Sequence, residues 1–539
     1  FWLKLLCLPP RPFRMPPSPG AEGWGREDRC AGLGRRVLAD IDLKPGDLVL
    51  REAPWAAVLS ADEVSKRCDW SLQEAEGLLR CSVTGLHFGT PRDRKRANAE
   101  YYECECLASK ALATTGKALA DLPQALRLAA RALWRASSAR SADEKIPWLG
   151  MEDHWFSLPE ARRGELTAMG HGCLGIVKLG LPQGASDVID ALALARLLAV
   201  IAVNAISITD EELRDIGLGL YLGASAFNHS EEPNCTQSFE GRHLVIRTRQ
   251  PVSRGQELTI TYSELAEHSQ FRRAFLRERY YFDPLVAGGK LAASAMERDV
   301  KLLEVLSGHD AQRRSLACGG VAWSPASGAV AVGSGDGLEI ATSWVSDLHD
   351  LWLMAGATED CRTRLTELTR LWVRACADES ARFRLGPGHA LRLSVARAAM
   401  DAAVAAEAWA EAAKFGRHVV ECERLLYPEP WPVAALSLAR LAKLEMLQGN
   451  FRAASVASGA AFRALRALGS DGTVSKEMQQ LQATADAEGR CQVQARADER
   501  QRKSGGKALT DCATELRAKD GAVNGHITEA ARVDLGALD

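Results

Sequence analysis

The chain has 539 residues, of which 47% are hydrophobic and 25% charged, with a formal net charge of -2 and a pI near 6.7. The near-neutral charge argues against a dominant nucleic-acid-binding surface, and no apolar run approaches the roughly 20 residues that span a bilayer. We therefore expect no direct nucleic acid partner and no membrane partner. The 14 cysteines are scattered along the chain, which favours free thiols in a reducing compartment, the cytoplasm or the nucleus.

The first strands are predicted after a Pro-rich start. Residues 1–28 are expected to be disordered or an extension of the gene model. Residues 29–60 predict two strands, because Gly32-Leu33-Gly34 opens one short apolar run and the turn Lys44-Pro45-Gly46-Asp47 precedes another. Taken alone, the Gly-x-Gly pattern predicts only a tight turn.

An insert follows at residues 61–118. It contains five residues that could bind zinc: Cys68, Cys81, His87, Cys104 and Cys106. Structural zinc sites need four ligands in tetrahedral geometry, and these spacings do not form two such interleaved sites. We therefore predict a surface insert without zinc.

The next segment, residues 119–215, predicts mainly helices. LPQALRLAARALWR has apolar residues three and four positions apart after a Pro, and a second, strongly apolar helix is predicted from Asp187 to Val203. This second helix ends beside Asn204, which by itself would be only a helix cap.

A polar cluster and two alternating runs make up residues 216–265. The cluster comprises Asn228, His229, Ser230, Pro233 and Asn234. Alternation at period two from His243 to Thr248 and from Glu257 to Tyr262 predicts half-buried strands. Asn and His before a Pro-Asn turn favour side chains directed into a cleft.

These patterns resemble a SET domain, the fold of protein-lysine methyltransferases. The C-terminal half of that domain is similar to N-H-S-x-x-P-N followed by G-x-E-L-x-I-x-Y in residues 228–262, and its N-terminal half to residues 29–60. The helical segment and the insert match the SMYD branch, in which a MYND zinc finger splits the SET domain. The resemblance implies an α+β fold, a split SET domain with a helical insert.

The resemblance also implies the site. The expected cofactor is S-adenosyl-L-methionine (SAM), bound by seven residues: Gly32, Leu33, Gly34, Asn204, Asn228, His229 and Phe282. Tyr262 and Tyr280 match the catalytic channel of the family. Individually, a Tyr that closes a strand is more often a core ring, and Asn228-His229 could simply cap a turn.

The segment after the SET domain, residues 266–345, is expected to be a post-SET region without metal. Relatives carry zinc-binding cysteines at positions aligned with Glu231, Pro284, Val286 and Gly289, and none of these four is Cys here. Within this region, residues 313–346 predict small strands joined by Gly-rich turns, which we interpret as a hairpin.

The C-terminal part predicts an all-α domain at residues 346–489. Its helices are expected at His389–Val404, Trp409–Tyr427, Val433–Leu447, Phe451–Leu468 and Val474–Ala487. They resemble the tetratricopeptide-like domain of SMYD proteins, although their periodicity fits an unrelated bundle equally well. Residues 490–539 contain no Phe, Trp or Tyr and predict a disordered tail.

The resulting functional prediction is a SAM-dependent protein-lysine N-methyltransferase with no metal. Its substrate would be a lysine in a histone tail or another protein, and the helical domain could bind a protein partner. One alternative is an inactive SET-fold scaffold; another is a zinc-free SET methyltransferase like those acting on Rubisco. We further hypothesise that Glu231 and Glu232 attract a basic peptide, although a solvated turn explains them equally well.

Overall fold

A computed structural model of the chain describes residues 25–30, 34–137, 148, 150–181, 190–284, 293–303, 305–307, 314–315, 321–324, 328–331, 336–377 and 383–503. Two compact units divide the chain. The first consists of Phe1–Tyr262 and Ala274–Ala287, and the second of Ser263–Arg273 and Gly288–Asp539. The segments that resemble a SET domain all lie in the first unit.

Small sheets form the strand part of the first unit. Its described strands are β1 Gly25–Cys30, β2 Gly34–Ala39, β3 Leu48–Glu52, β4 Ala56–Leu59, β5 Leu79–Arg80, β6 His87–Phe88, β7 Ile206–Thr209, β8 Asp215–Leu220, β9 Asn228–His229, β10 Cys235–Glu240, β11 His243–Thr248 and β12 Glu257–Ile260. They pair in the orders β1-β2-β12-β9, β10-β11-β3, β4-β8-β7 and β5-β6. In β12, Leu258 and Ile260 are buried and Thr259 is half-buried, as the alternating pattern predicts.

Strand β12 is the central element for the site. It pairs antiparallel with β2, Leu258 opposite Val37, and parallel with β9, Thr259 opposite Asn228. Asn234 fixes the edge of β12, because its Nδ2 donates to the Glu257 carbonyl at 2.8 Å and its Oδ1 accepts from the Thr259 N–H at 2.8 Å. Asn234, a member of the polar cluster, therefore lies beside β12.

The first unit also contains helices. They are α1 Pro91–Glu100, α2 Tyr102–Ala113, α3 Gln124–Ser137, α4 Glu160–Gly180, α5 Ala191–Asn204 and α6 Ser269–Tyr280, which starts in the part of the chain assigned to the second unit. Helix α5 starts later than predicted because Asp190 caps it, accepting from the Ala193 N–H at 2.6 Å.

The insert at residues 61–118 differs from the predicted surface segment. Cys68, Cys81 and Tyr102 are buried, and the latter two belong to the same apolar core as α3 and α5. Among the residues that the structure describes, no group of three or more His, Cys, Asp or Glu could hold a metal ion.

A buried ion-pair network, centred on Arg131 of α3, joins the insert to α3. The Arg131 guanidinium donates to the Glu105 carboxylate at 3.0 Å, to Asp69 Oδ1 at 3.0 Å and to the Ala57 carbonyl at 2.7 Å. The Tyr101 hydroxyl donates to the second Asp69 oxygen at 2.7 Å. Complete pairing is what allows these charges to be buried.

The second unit is mainly helical in its described part. Its helices are α7 Ala293–Leu303, α8 Asp336–Gly356, α9 Cys361–Trp372 with a following π-turn Val373–Ala377, α10 Ala390–Ala405, α11 Trp409–Leu426, α12 Pro432–Leu447, α13 Phe451–Ala467 and α14 Thr473–Lys503. Helices α10 to α14 each begin within one residue of the predicted position, and consecutive members pack against each other. The helical C-terminal region is confirmed, and its tetratricopeptide-like character stays a prediction.

Short strands lie between some of these helices. They are β13 Val305–Ser307, β14 Arg314–Ser315, β15 Val321–Ser324, β16 Gly328–Ala331 and β17 Phe383–Leu385. Strands β15 and β16 pair antiparallel, in agreement with the predicted hairpin, and β13 lies between β14 and β17.

Two boundary predictions are wrong. Helix α8 starts at Asp336, where strands were predicted up to residue 346, and buried Val345, Leu348 and Ala355 have the spacing of one helix face. Residues 490–503 are helical in α14 rather than disordered, because their Ala, Glu, Gln and Arg favour a helix even without aromatic anchors. None of the described helices is long and apolar enough to cross a membrane.

Candidate active site

Tyr262 lies two residues beyond the end of β12, and hydrogen bonds hold both its backbone and its ring. Its N–H donates to Nδ1 of His229 at 3.1 Å, and its hydroxyl donates to the Phe227 carbonyl. Burial, with the Tyr280 hydroxyl nearby, raises the pKa of the Tyr262 phenol above its usual value. The hydroxyl is therefore a proton-bearing, fixed dipole at neutral pH.

Four rings, those of His229, Tyr262, Tyr280 and Phe282, form an aromatic cluster. The ring centroid of Tyr262 lies 4.7 Å from that of Tyr280, 5.6 Å from His229 and 6.4 Å from Phe282. His229 and Phe282 are 6.0 Å apart. The structure thus brings together the two Tyr residues predicted as catalytic and two of the residues predicted to bind the cofactor.

An unusual backbone conformation at Tyr281 separates two members of this cluster. Tyr281 has φ +59°, which is rare for a residue with a Cβ. Its own ring contacts His154 at a centroid distance of 5.2 Å, while the rings of Tyr280 and Phe282 are both within reach of Tyr262. This reversal of the chain after α6 was not visible in the sequence, which has no Gly or Asn there.

Asn228 connects the two strands on either side of the polar cluster. Its Nδ2 donates to the Arg35 carbonyl at 3.0 Å and to Glu257 Oε1 at 2.8 Å. Both hydrogens of the amide are thereby used. The amide oxygen and the backbone are the groups of Asn228 that can contact a ligand.

Gly34 and Asn204 converge on Glu152, a residue that the sequence analysis missed. Gly34 has φ +72°, and a Cβ built on it would lie 3.9 Å from Glu152 Oε1. Nδ2 of Asn204 donates to the Glu152 carbonyl and to the Val200 carbonyl, both at 2.8 Å. Gly32 and Leu33 lie outside the described residues. Glu152 lies in an irregular loop, and no sequence pattern around it indicates that it lies next to Gly34 and Asn204.

Two further residues, Glu52 and Arg35, hold the turn at residues 223–225 that precedes the polar cluster. Both oxygens of the Glu52 carboxylate accept backbone N–H groups, from Gly223 at 2.9 Å and from Ala224 at 3.0 Å. Burial raises the pKa of Glu52, and these hydrogen bonds oppose the rise. Arg35 donates to Ser225 Oγ at 2.9 Å. These contacts link residues more than 150 positions apart, so no local pattern announces them.

Glu231 does not occupy the exposed position that the basic-peptide hypothesis needs. Only 9% of its side chain is exposed, and its Oε1 lies 3.7 Å from Nε2 of His229, whereas Glu232 is exposed. The hypothesis of long-range attraction stays a prediction, and in the structure the exposed carboxylate it needs is that of Glu232, whereas Glu231 lies next to the His229 imidazole. Of the other positions aligned with zinc ligands, Pro284 is described and Val286 and Gly289 are not.

Comparison with known proteins shows what this chain is similar to. Residues 34–263 match the family model of the SET domain. The chain is 24% identical over 425 residues to the human histone-lysine N-methyltransferase SMYD3, across 78% of this chain and 88% of that protein. It is 26% identical over 271 residues to the human N-lysine methyltransferase SMYD2, across 49% of this chain and 60% of that protein.

A solved structure also aligns with most of the chain. The SET domain of LSMT bound to lysine and AdoHcy covers 92% of this chain and 95% of its own, at 12% identity and a TM-score of 0.30. That score is too low to add to the assignment, which depends on the sequence matches. Residues 34–263 therefore match a SET domain, and the chain is similar to the SMYD lysine methyltransferases over most of its length.

Proposed function

We propose that this chain transfers a methyl group from SAM to the side-chain amine of a lysine in a protein substrate. The observation that carries the proposal is the position of Tyr262. Its backbone and hydroxyl are both fixed, and its ring lies 4.7 Å from the ring of Tyr280. Such a pair can form the wall and the hydrogen-bonding end of a lysine channel.

The residues around β2 and β9 suit the two ends of the cofactor. Gly34, Asn204 and the Glu152 carboxylate form a polar edge that fits a charged amino-acid group, and Gly34 permits close backbone approach because it lacks a Cβ. Asn228 and His229 form the second polar edge, and the Phe282 ring supplies an apolar face. By resemblance to the family, Gly32 and Leu33 would complete the first edge.

The chemistry divides between cofactor and protein. SAM, when bound, supplies an electrophilic methyl group on a cationic sulfur. The lysine amine must be neutral to attack, although the pKa of a free lysine is about 10.4. The aromatic cluster would lower that pKa by excluding water, and the fixed Tyr262 hydroxyl would orient the amine.

Substrate, partner and location are extensions of this proposal. The target lysine would lie in a histone tail or in another protein, and helices α10 to α14 offer a surface for a protein partner. The described cysteines are free thiols, which supports a reducing compartment, the cytoplasm or the nucleus.

Calorimetric titration with S-adenosylhomocysteine tests the cofactor site without knowledge of the substrate. Saturable one-to-one binding is expected for the full chain, with a loss of at least about tenfold in affinity for Asn228→Ala. Asn450→Ala, which removes an amide from the second unit, should bind as the unchanged chain does. Absence of binding by a chain shown to be folded would favour the scaffold alternative.

Methylation of lysine peptides then tests the chemistry. Tyr262→Phe should lower kcat by about 100-fold or more while S-adenosylhomocysteine affinity is kept, since a single oriented hydrogen-bonding group contributes on this scale. Tyr281→Phe is the control, because that neighbouring ring contacts His154 instead of Tyr262. Equal activity in the two variants would contradict a catalytic role for Tyr262.

A further inference from the structure

The imidazole of His229 lies between the backbone of Tyr262 and the carboxylate of Glu231. Its Nδ1 accepts from the Tyr262 N–H at 3.1 Å, and its Nε2 lies 3.7 Å from Glu231 Oε1. The side chains are 2% and 9% exposed, respectively. Water therefore has little access to either group, and their interaction occurs in a medium of low dielectric constant.

The hydrogen bond from the Tyr262 N–H shows which nitrogen of His229 carries the proton in this structure. A nitrogen that accepts a hydrogen bond carries no hydrogen, so a neutral ring with Nδ1 as acceptor is protonated at Nε2. That Nε2 is buried and has no hydrogen-bond partner among the described residues. The distance of 3.7 Å to Glu231 Oε1 is longer than a hydrogen bond, so the carboxylate acts on Nε2 through its charge in this buried site.

We propose that Glu231 is a positioning residue that holds His229 in its Nε2–H tautomer, so that Nδ1 anchors the backbone of Tyr262. A carboxylate next to one ring nitrogen favours the tautomer with the proton on that nitrogen. In the opposite tautomer, the Nδ1–H and the Tyr262 N–H would be two donors facing each other. The end of β12 and the Tyr262 hydroxyl would then move away from their present positions.

This inference rests on the proposed function only in assigning Tyr262 to catalysis. The tautomer itself is a property of the folded chain and can be measured without turnover. Glu232, the exposed neighbour of Glu231, provides a control that changes the charge of the same turn without changing the surroundings of His229.

Nitrogen NMR of the full chain, labelled with 15N at histidine, tests the tautomer. The chain has 11 histidines, and the His229 signals are assigned by their loss in His229→Gln. We expect Nε2–H in the unchanged chain, in Glu231→Gln, whose amide oxygen still accepts, and in Glu232→Ala. Glu231→Ala should show the Nδ1–H form or a mixture.

Kinetics provide the second measurement. Glu231→Ala should lower kcat by about tenfold with KM for the peptide little changed, because the displaced Tyr262 hydroxyl would act in the reaction. Glu231→Gln should restore most of kcat. Urea unfolding of each variant establishes that it is folded.

The outcomes separate this inference from the proposed function. An Nδ1–H tautomer in the unchanged chain, or the same tautomer in Glu231→Ala as in Glu232→Ala, overturns the role of Glu231 even if the chain methylates lysine. A tautomer that responds to Glu231→Ala, in a chain that binds no S-adenosylhomocysteine and methylates nothing, supports the positioning role and refutes the proposed function.

Discussion

At the residue scale, Gly34 combines a backbone requirement with a place in the predicted cofactor site. Its φ of +72° lies in the left-handed region, where a Cβ costs about 1 kcal/mol. Gly34 also faces Glu152, so a methyl group added at Gly34 would leave less room for a ligand beside the Glu152 carboxylate. The Gly-x-Gly pattern indicated the turn, and the structure shows what lies opposite it.

We expect Gly34→Ala to lower the free energy of unfolding by about 1 kcal/mol and to weaken S-adenosylhomocysteine binding by at least about tenfold. Gly255→Ala is the matched control, since Gly255 has φ +81° and a Cβ there would meet nothing within 4 Å. It should lose similar stability and retain binding. Urea unfolding and calorimetry measure the two effects, and equal binding by both variants would exclude Gly34 from the site.

The four members of the aromatic cluster could be named from the sequence, because they stand in motifs that resemble a known family. Tyr262, Tyr280, His229 and Phe282 come together as that resemblance implied. The resemblance could not indicate Glu152, because its contacts with Gly34 and Asn204 depend on how a loop folds back over β2.

At the element scale, the buried network around Arg131 joins the insert at residues 61–118 to helix α3. The helix LPQALRLAARALWR is amphipathic, and its Arg residues would ordinarily be assigned to the exposed face. Arg131 is instead 1% exposed and paired with Asp69 and Glu105. Because these carboxylates come from two ends of the insert, a single Arg fixes both to α3.

Arg131→Met should lower the free energy of unfolding by about 3–5 kcal/mol, because it leaves two buried carboxylates without their cation. Arg162→Met is the control. Arg162 pairs with Glu165 on the surface, where both side chains are largely exposed, so a change within about 0.5 kcal/mol is expected. Urea unfolding of the full chain measures both, and similar losses would show that the network contributes little.

The start of α10 contains a group that should make stability depend on pH. His389 is fully buried, and its Nδ1 accepts from the Leu391 N–H at 3.1 Å, capping the helix. Burial lowers the pKa of His389 to about 3, with Arg392 adding to the shift. The folded state therefore keeps this ring neutral where the unfolded chain, with a pKa of about 6.5, takes up a proton.

The His389 contribution is fully present above pH 6.5 and is lost as pH falls from there toward about 3. Between about pH 7 and about pH 5 the linkage amounts to about 2 kcal/mol. Urea unfolding at the two pH values should show this loss in the unchanged chain and less of it in His389→Asn, which keeps a cap without a titrating ring. His171→Asn, at an exposed position, should behave as the unchanged chain.

At the scale of the whole molecule, every described residue assigned to the cofactor or to catalysis lies in the first compact unit. A ligand that binds only the folded state of this unit stabilises it by mass action. At a free concentration about 100 times the Kd, S-adenosylhomocysteine should add about 2.7 kcal/mol to its free energy of unfolding.

Hydrogen exchange of the full chain measures that stabilisation locally. Protection should increase in β2, β9 and β12, whose pairing joins the two polar edges of the site. The Asn228→Ala variant, titrated at the same ligand concentration, should show a smaller increase, about 1.4 kcal/mol for a Kd weakened tenfold. Unchanged exchange in these three strands of the unchanged chain would argue against a cofactor site there.

The sequence by itself determined the features that depend on short-range signals. Alternation located β11 and β12, Pro and apolar spacing located the starts of α10 to α14, and the motif around Asn228 indicated the family. Neighbouring residues carry these signals, since strand and helix periodicities are local. The sequence does not indicate the extension of α14 beyond residue 490, because a lack of aromatic residues is common to disordered tails and to exposed helices.

Only the tertiary structure decided which distant residues became partners. The parallel pairing of β9 with β12, the burial of Arg131 between Asp69 and Glu105, and the contact of Glu231 with His229 all follow from non-local packing. Sequence periodicity assigns a charged residue to a surface, whereas the fold can bury it when a complementary group from another segment arrives. The role proposed for Glu231 therefore depends on its position in the folded chain.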